Sequence, residues 1–399
     1  MNVQRLSSQD SPRNFSATRG RPIPERARKF WDRVSDGMRL DDLWNQLRTD
    51  ARSTYRLYSR EIDAAQPAGT SQHKHFFHVA RQFFWAILEK LTPARRILLL
   101  VALVLLLAPQ AQMLDHPGGH WEFQFDFRIL GGLLILAVLI LELTDRVVMK
   151  RDLQIAKEIQ AWLLPARPPQ VPGLEIAFAT RPANTVAGDY YDVFPRCGFD
   201  GATDGAAKES FLVVVADVAG KSIPAAMLMA TIQASLRTLC MTPGPLTELV
   251  ERMNQYACTN SQNGRRFTTA FVAEYWPESH ELHYVNAGHN APILRRPSGA
   301  TEELRTGGLP LGVMERTRYE SGTVKLERGD LLAAFTDGLV EAENARSEEY
   351  GGPRFLSVLQ ANAHAAANVI LSSVLFDINR FVGTAPQHDD VTVLLLKAT

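Results

Sequence analysis

Four separated stretches of the chain each carry aspartate beside an apolar run: "AGDYYDVF" with Asp189 and Asp192, "FLVVVADVAGKSIPAAMLMA" with Asp217, "LLAAFTDGLVEA" with Asp337, and "QHDDVTVLLLK" with Asp389 and Asp390. Taken singly, Asp-Gly is a common turn pair and an acid before a strand is ordinary loop chemistry. Recurrence at four strand edges argues for more. If these acids converge, their repulsion raises their pKa values or costs several kcal/mol unless a cation offsets it. No His or Cys cluster accompanies them, so ligation by oxygen alone, completed by water, suits Mg²⁺ or Mn²⁺ better than Zn²⁺. Two such ions roughly 4 Å apart, sharing one carboxylate and one water, would acidify that water and aim it at a phosphorus atom. The expected chemistry is hydrolysis without a protein nucleophile.

Rigid elements must present these acids. Beyond Gly173, short apolar runs ("LEIAFAT", "FLVVVADV", "TAFVAEYW", "LHYVNAG", "DLLAAFTDG", "VTVLLLK") alternate with helical stretches around 224–240, 244–258 and 353–382, which predicts one α/β domain over residues 170–399. Upstream, "TDRVVMKRDLQIAKEIQAWLLP" places Val147, Leu153, Ile155, Ile159 and Leu163 at helical spacing, so a linker helix is expected over 144–166, with a stripe able to pair with a second copy. Pro165, Pro168, Pro169 and Pro172 end it.

Two further runs, Ile97 to about Leu114 and Ile129 to Leu143, sit near the lower end of the about 17 to 25 residues that span hydrocarbon, the second being marginal. They predict a two-helix transmembrane hairpin over 97–143. A hairpin buried in a soluble core is disfavoured because Leu98 to Leu107 shows no polar face. Arg95 and Arg96 precede the hairpin and Arg146, Lys150 and Arg151 follow it, which places both ends in the cytoplasm. Trp121, Phe123, Phe125 and Phe127 suit a membrane interface, or equally a short strand. The expected location is the inner (cytoplasmic) membrane, multi-pass, with the catalytic domain in the cytoplasm. Residues 1–22 read as a disordered tail with no cleaved signal peptide. Residues 23–90 read as a cytoplasmic helical region: a small bundle, a membrane-surface helix or a spacer.

The formal net charge is zero, which argues against a nucleic-acid partner. It is unevenly spread. Residues 1–96 hold 18 basic and 10 acidic residues, a net of +8, and residues 97–399 hold 25 and 33, a net of −8. Cys197, Cys240 and Cys258 lack metal-binding spacing and read as free thiols.

In this order, "LQIAKEIQAWLLP", "AGDYYDVF", "ADVAGKSIPAAMLMA", "FTTAFVAEY", "YVNAGHNAPIL", "GLPLGV", "FTDGLVEAEN" and "HDDVTVLLLK" resemble the PPM (type-2C-like) serine/threonine protein phosphatases, in the bacterial branch of the sporulation phosphatase and the stress sigma-factor regulators. The resemblance covers roughly residues 153–399 and says nothing of residues 1–150. It implies an α/β (α+β layered) fold, a β-sandwich flanked by helices with two Mn²⁺ or Mg²⁺ ions at one end. By motif, Asp189 is implied as a ligand of one ion and Asp217 as the carboxylate bridging both. The Val218 carbonyl, Asp337 and Asp389 would serve the second ion, with Asp390 adjacent, while Asp192 holds the loop. Asp189, Asp217, Asp337 and Asp389 are the implied catalytic set. Two departures stand out: Ala187 and Ser222 replace glycines common in the branch. Ala219 occupies the place of a His in eukaryotic relatives, so no leaving-group acid is assigned. His289 in "NAGHNAP" reads as a turn-stabilising residue.

The function so implied is removal of phosphate from serine or threonine of a regulatory phosphoprotein at the membrane, with a STAS-type anti-sigma-factor antagonist as the suspected substrate and a homodimer through the linker helix. A catalytically weak scaffold is the alternative, which loss of a metal aspartate would favour; none is lost. A nucleotide or small-phosphoester hydrolase is the third class, and "GGLPLG" lacks the spacing and following Lys of a phosphate loop.

Overall fold

The computed structural model describes residues 88–108, 126–198, 208–221, 223–260 and 266–399, together with 81, 84 and 85. The tail over 1–22, nearly all of the 23–90 region, and the connecting loop with Trp121, Phe123 and Phe125 lie outside the described residues. The chain divides into two units after Glu142.

In the first unit, helix α1 covers Pro93–Leu107 and helix α2 begins at Phe127. Arg95 and Glu142 pair at 3.1 Å. At 1.5 Å per residue α1 is about 22 Å long, short of the roughly 30 Å of a hydrocarbon core. Among the described residues one helix, α2 over Phe127–Leu163, is long and apolar enough to cross a membrane. Sequence spacing makes Ile129–Leu143 the marginal span. The structure reverses that ranking, because the helix starts before Ile129 and runs past Leu143 without a break. A second membrane-spanning helix is not found among the described residues, and 109–114 of the expected first run lie outside them.

The second unit is a layered sandwich. Strands β1 (Leu174–Arg181), β11 (Val391–Ala398), β10 (Leu331–Phe335), β6 (Ile293–Arg295) and β7 (Thr301–Glu303) form one sheet in that order. The other runs β2 (Tyr190–Gly198), β3 (Lys208–Val218), β4 (Thr268–Trp276), β5 (Glu281–Ala287) and β8 (Gly307–Gly308), with β9 (Gly322–Lys325) also on β5. Pairing is antiparallel except between β5 and β8. Helices α3 (Ile223–Leu239) and α4 (Leu246–Asn260) cover the second sheet. Helices α6 (Gly352–Ala361) and α7 (Ala367–Val382) cover the first, and one-turn α5 (Asp337–Val340) follows β10.

This layering explains the unbroken apolar runs. Along β3, Val213 and Val215 point into the sandwich with Phe271 and Leu394, while Leu212, Val214 and Ala216 meet Met229, Leu236 and Val250 beneath α3 and α4. Strand β11 does the same with Leu394 and Leu396 inward and Val393 and Leu395 against Phe355 and Val374. A strand buried on both faces needs no polar alternation. Leu212, Val213, Val214 and Val215 are all 1% exposed or less, so their burial removes nearly all of their apolar area from water. The expected sandwich flanked by helices is what the chain forms.

Candidate functional site

The acid-bearing segments meet at one end of the two central strands. Asp217 is the penultimate residue of β3, opposite Thr269 of β4, and the chain leaves the strand through Gly220, whose φ of +111° only glycine adopts without strain. Asp189 stands immediately before β2 and is 1% exposed. Thr336 Oγ1 donates to Asp189 Oδ2 at 2.9 Å and accepts the Thr392 backbone N–H at 3.0 Å, which locks β10 and β11 to the Asp189 loop. Asp337 opens α5 directly after β10, and Asp389 and Asp390 directly precede β11. A Cβ at Gly338 would lie 2.0 Å from the Asp390 carbonyl oxygen, so glycine is required where these two segments touch.

Electrostatics agrees with convergence. Burial, then the charges of Asp337, Asp389 and Asp390, push the Asp217 carboxyl up to about 7. Burial and Asp217 raise Asp189 well above the usual carboxylate range. Burial and Asp389 raise Asp337. Even so, among the described residues no three His, Cys, Asp or Glu side chains are close enough to chelate an ion unaided. The two observations are compatible: the acids feel one another's charge, yet water must complete any shell. Buried carboxylates with so little positive charge among them fit a divalent cation, and their all-oxygen donor set fits Mg²⁺ or Mn²⁺.

Three residues differ from expectation or escape it. Both Asp390 oxygens accept backbone N–H groups, from Ala183 at 2.7 Å and Gly188 at 2.6 Å, so this acid pins the loop that carries Asp189. Asp192 is not in the cluster. It is fully buried and accepts from Tyr190 Oη at 2.9 Å and from Arg237 Nη2 at 2.7 Å, holding β2 to α3 rather than the loop. Gln160, late in α2, was not singled out by sequence. Its Nε2 donates to the Ala187 carbonyl at 2.7 Å and its Oε1 accepts the Ala187 N–H at 2.9 Å. The available signal was a polar side chain in register with Leu153 and Leu163 on one helix face. His289 fits a turn role. Its N–H donates to Asn286 Oδ1 at 2.7 Å, its Nδ1 meets Thr269 Oγ1 at 2.9 Å, and burial lowers its pKa to about 4.

Residues 207–399, which include β3, β10 and β11 with Asp217, Asp337 and Asp389, match the family model of Stage II sporulation protein E, SpoIIE. This part of the chain is a SpoIIE-type phosphatase domain. The phosphoserine phosphatase RsbU of Bacillus subtilis (strain 168) is 28% identical over 252 residues, covering 62% of this chain and 70% of RsbU. Protein IcfG of Synechocystis sp. is 24% identical over 273 residues, covering 62% of this chain but only 41% of IcfG, so the chain spans less than half of that relative. The SiaA PP2C domain of Pseudomonas aeruginosa superposes with a TM-score of 0.54 at 18% identity, covering 64% of this chain and 99% of that domain. At that identity the likeness shows the fold, and the SpoIIE-type domain here has it. The family expected from the motifs is thus the family found.

Proposed function

We propose that the chain is a metal-dependent phosphatase that removes phosphate from serine or threonine of a regulatory phosphoprotein in a sigma-factor pathway. The observation that carries this reading is the meeting of aspartates from four segments with one basic side chain, Lys221, paired to them among the described residues. Asp189, Asp217, the Val218 carbonyl, Asp337 and Asp389 would hold two divalent cations, Mn²⁺ or Mg²⁺, with Asp217 shared and Asp390 holding the loop. Such ions would supply neutralisation of the phosphoryl oxygens and an attacking water of lowered pKa. The protein's own part is placement. Strand β3 holds Asp217 rigidly, Thr336 orients Asp189, and Asp390 and Gln160 fix the backbone at Gly188 and at Ala187 before it.

The suspected substrate is a STAS-type anti-sigma-factor antagonist, a reading supported by similarity to the phosphoserine phosphatase RsbU. Tethering at the cytoplasmic membrane is supported by α2 and by the basic residues flanking the apolar runs. A homodimer is supported by the far side of α2, where Val148, Ile155, Ile159 and Trp162 form a stripe at coiled-coil spacing that is 45% exposed or more. The deciding experiment measures phosphate release from a phosphoserine protein by the full-length chain in detergent, with Mn²⁺, with Mg²⁺ and with chelator. Metal-dependent turnover is expected. Turnover unaffected by chelator would overturn the metal assignment, and binding of the phosphoprotein without turnover would favour a scaffold.

A further inference from the structure

Lys221 follows Gly220 at the turn that delivers Asp217, and it reaches across the site. Its Nζ lies 3.0 Å from Asp389 Oδ2 and donates to the His388 carbonyl at 2.5 Å, so it ties the end of β3 to the segment before β11. It lines a cavity of about 160 Å³ with Asp389, Gly338, Glu341 and His388. Arg181, another basic side chain of that cavity, is hydrogen-bonded to Asn379 instead. Among the described residues Lys221 is the cation that forms an ion pair with a member of the acid group, and its charge acts on Asp337, Asp390 and Glu341 as well. The contact is not a buried structural bridge, since the lysine side chain is 52% exposed and that of Asp389 39%. A surface pair of this kind contributes little to folding and exchanges partners readily, because a lysine head on a flexible stem is a mobile point charge.

We propose that Lys221 is the resident counter-ion of the acid cluster and, once displaced from Asp389 by divalent cations, the side chain that contacts the substrate's phosphoryl oxygens. This rests on the metal-dependent phosphatase reading above. In the metal-free state Lys221 offsets part of the repulsion and competes for Asp389. With Asp389 neutralised, its ammonium loses its one ion-pair partner among the described residues, and an incoming phosphoryl dianion, carrying two charges, competes for it with Glu341, Glu343 and Glu349 of the same cavity. The two roles have opposite consequences, which a merely structural lysine does not produce.

The test uses the full-length protein in detergent, as wild type, Lys221→Gln and Lys221→Arg. Calorimetric titration with Mn²⁺ alone reads the first role, and titration of the Mn²⁺-loaded protein with inorganic phosphate reads the second. Lys221→Gln is expected to bind Mn²⁺ several-fold more tightly and phosphate about tenfold more weakly, since a charge-assisted hydrogen bond is lost. Lys221→Arg is expected to stay near wild type in both, because it keeps the charge. Unchanged or weaker Mn²⁺ binding by Lys221→Gln overturns the counter-ion role, and unchanged phosphate binding overturns the substrate contact. Neither titration depends on turnover. Failure of the wild type to hydrolyse phosphoserine therefore strikes the phosphatase reading and leaves Lys221 to be judged by binding alone.

Discussion

Two regions of the phosphatase domain bury carboxylates in opposite ways. At the far end of β2, Glu274 is 3% exposed and Arg196 4%, and they pair at 2.8 Å. Ser210 donates to the second Glu274 oxygen at 2.6 Å, and the other Arg196 nitrogen donates to the Gly244 carbonyl at 2.7 Å. Asp192 with Arg237 repeats the pattern on the same strand. At the near end, Asp189, Asp217, Asp337, Asp389 and Asp390 crowd together with Lys221 alone pairing to them among the described residues. The first arrangement is closed, because each charge meets an opposite one, even though Arg196 Nε and Asp192 Oδ1 have no hydrogen-bond partner. The second is open, because its charge asks for a ligand. The same residue type thus serves as mortar in one place and, in the function proposed above, as a binding site in the other, and the partner decides which.

Acid-to-amide changes put the contrast at risk most directly. Asp217→Asn should lower metal-dependent kcat by roughly a thousandfold or more, since the ligand we propose both ions share is lost. The metal-free variant should nonetheless melt higher than metal-free wild type, as one repelling charge is gone. Added Mn²⁺ should then raise the Tm of wild type but not of the variant. Calorimetry and phosphate-release assays read all three, and a lower metal-free Tm would erase the distinction between the regions.

Glu274→Gln is the same chemical change with the opposite expected sign. It strands the Arg196 charge in the core and should cost about 3 to 5 kcal/mol of stability. Activity per folded molecule should be unchanged, which denaturant melts paired with kcat measurements would check.

Gln160→Leu tests whether the open site depends on its frame. Two backbone groups of Ala187 lose their partners, which should cost about 1 to 3 kcal/mol. The loosened Asp189 loop should lower kcat by about tenfold, because small misplacements of reacting groups are expensive in rate. Stability loss with kcat intact would make Gln160 a packing residue only.

The smallest effect is expected at Asp377, held below the usual carboxylate range by Arg354 at 2.9 Å and by Tyr350. An acid with a depressed folded pKa stabilises above its unfolded value of about 3.8 and loses that contribution as pH falls through the folded value. Because the pair is partly exposed, Asp377→Asn should cost about 0.5 kcal/mol or less at neutral pH, and nothing in strong acid. Urea melts across pH 2 to 7 would show it, and a larger loss would mean that this surface pair belongs with the closed kind.

Local pattern in the chain determined that strands such as 211–218 and 391–397 are buried on both faces, that acids stand at their ends, and that Gly220 turns the chain beyond Asp217. It also carried the family, through eight ordered motifs. Such features depend on residues near in sequence, whose periodicity and turn chemistry act over a few positions. Tertiary structure decided which acids are matched and which are left open. Asp192 and Asp189 lie three residues apart in one motif, yet one faces Arg237 of α3 and the other faces Thr336, far along the chain. Asp390 looked like Asp389 until the backbone of Ala183 and Gly188 came to it. Gln160 looked like helix surface until Ala187 folded against it. These assignments rest on antiparallel pairing of β11 with β1 and β10, and of β3 with β2 and β4. Partner choice over such separations follows from burying whole faces at once, and no window of sequence contains both partners.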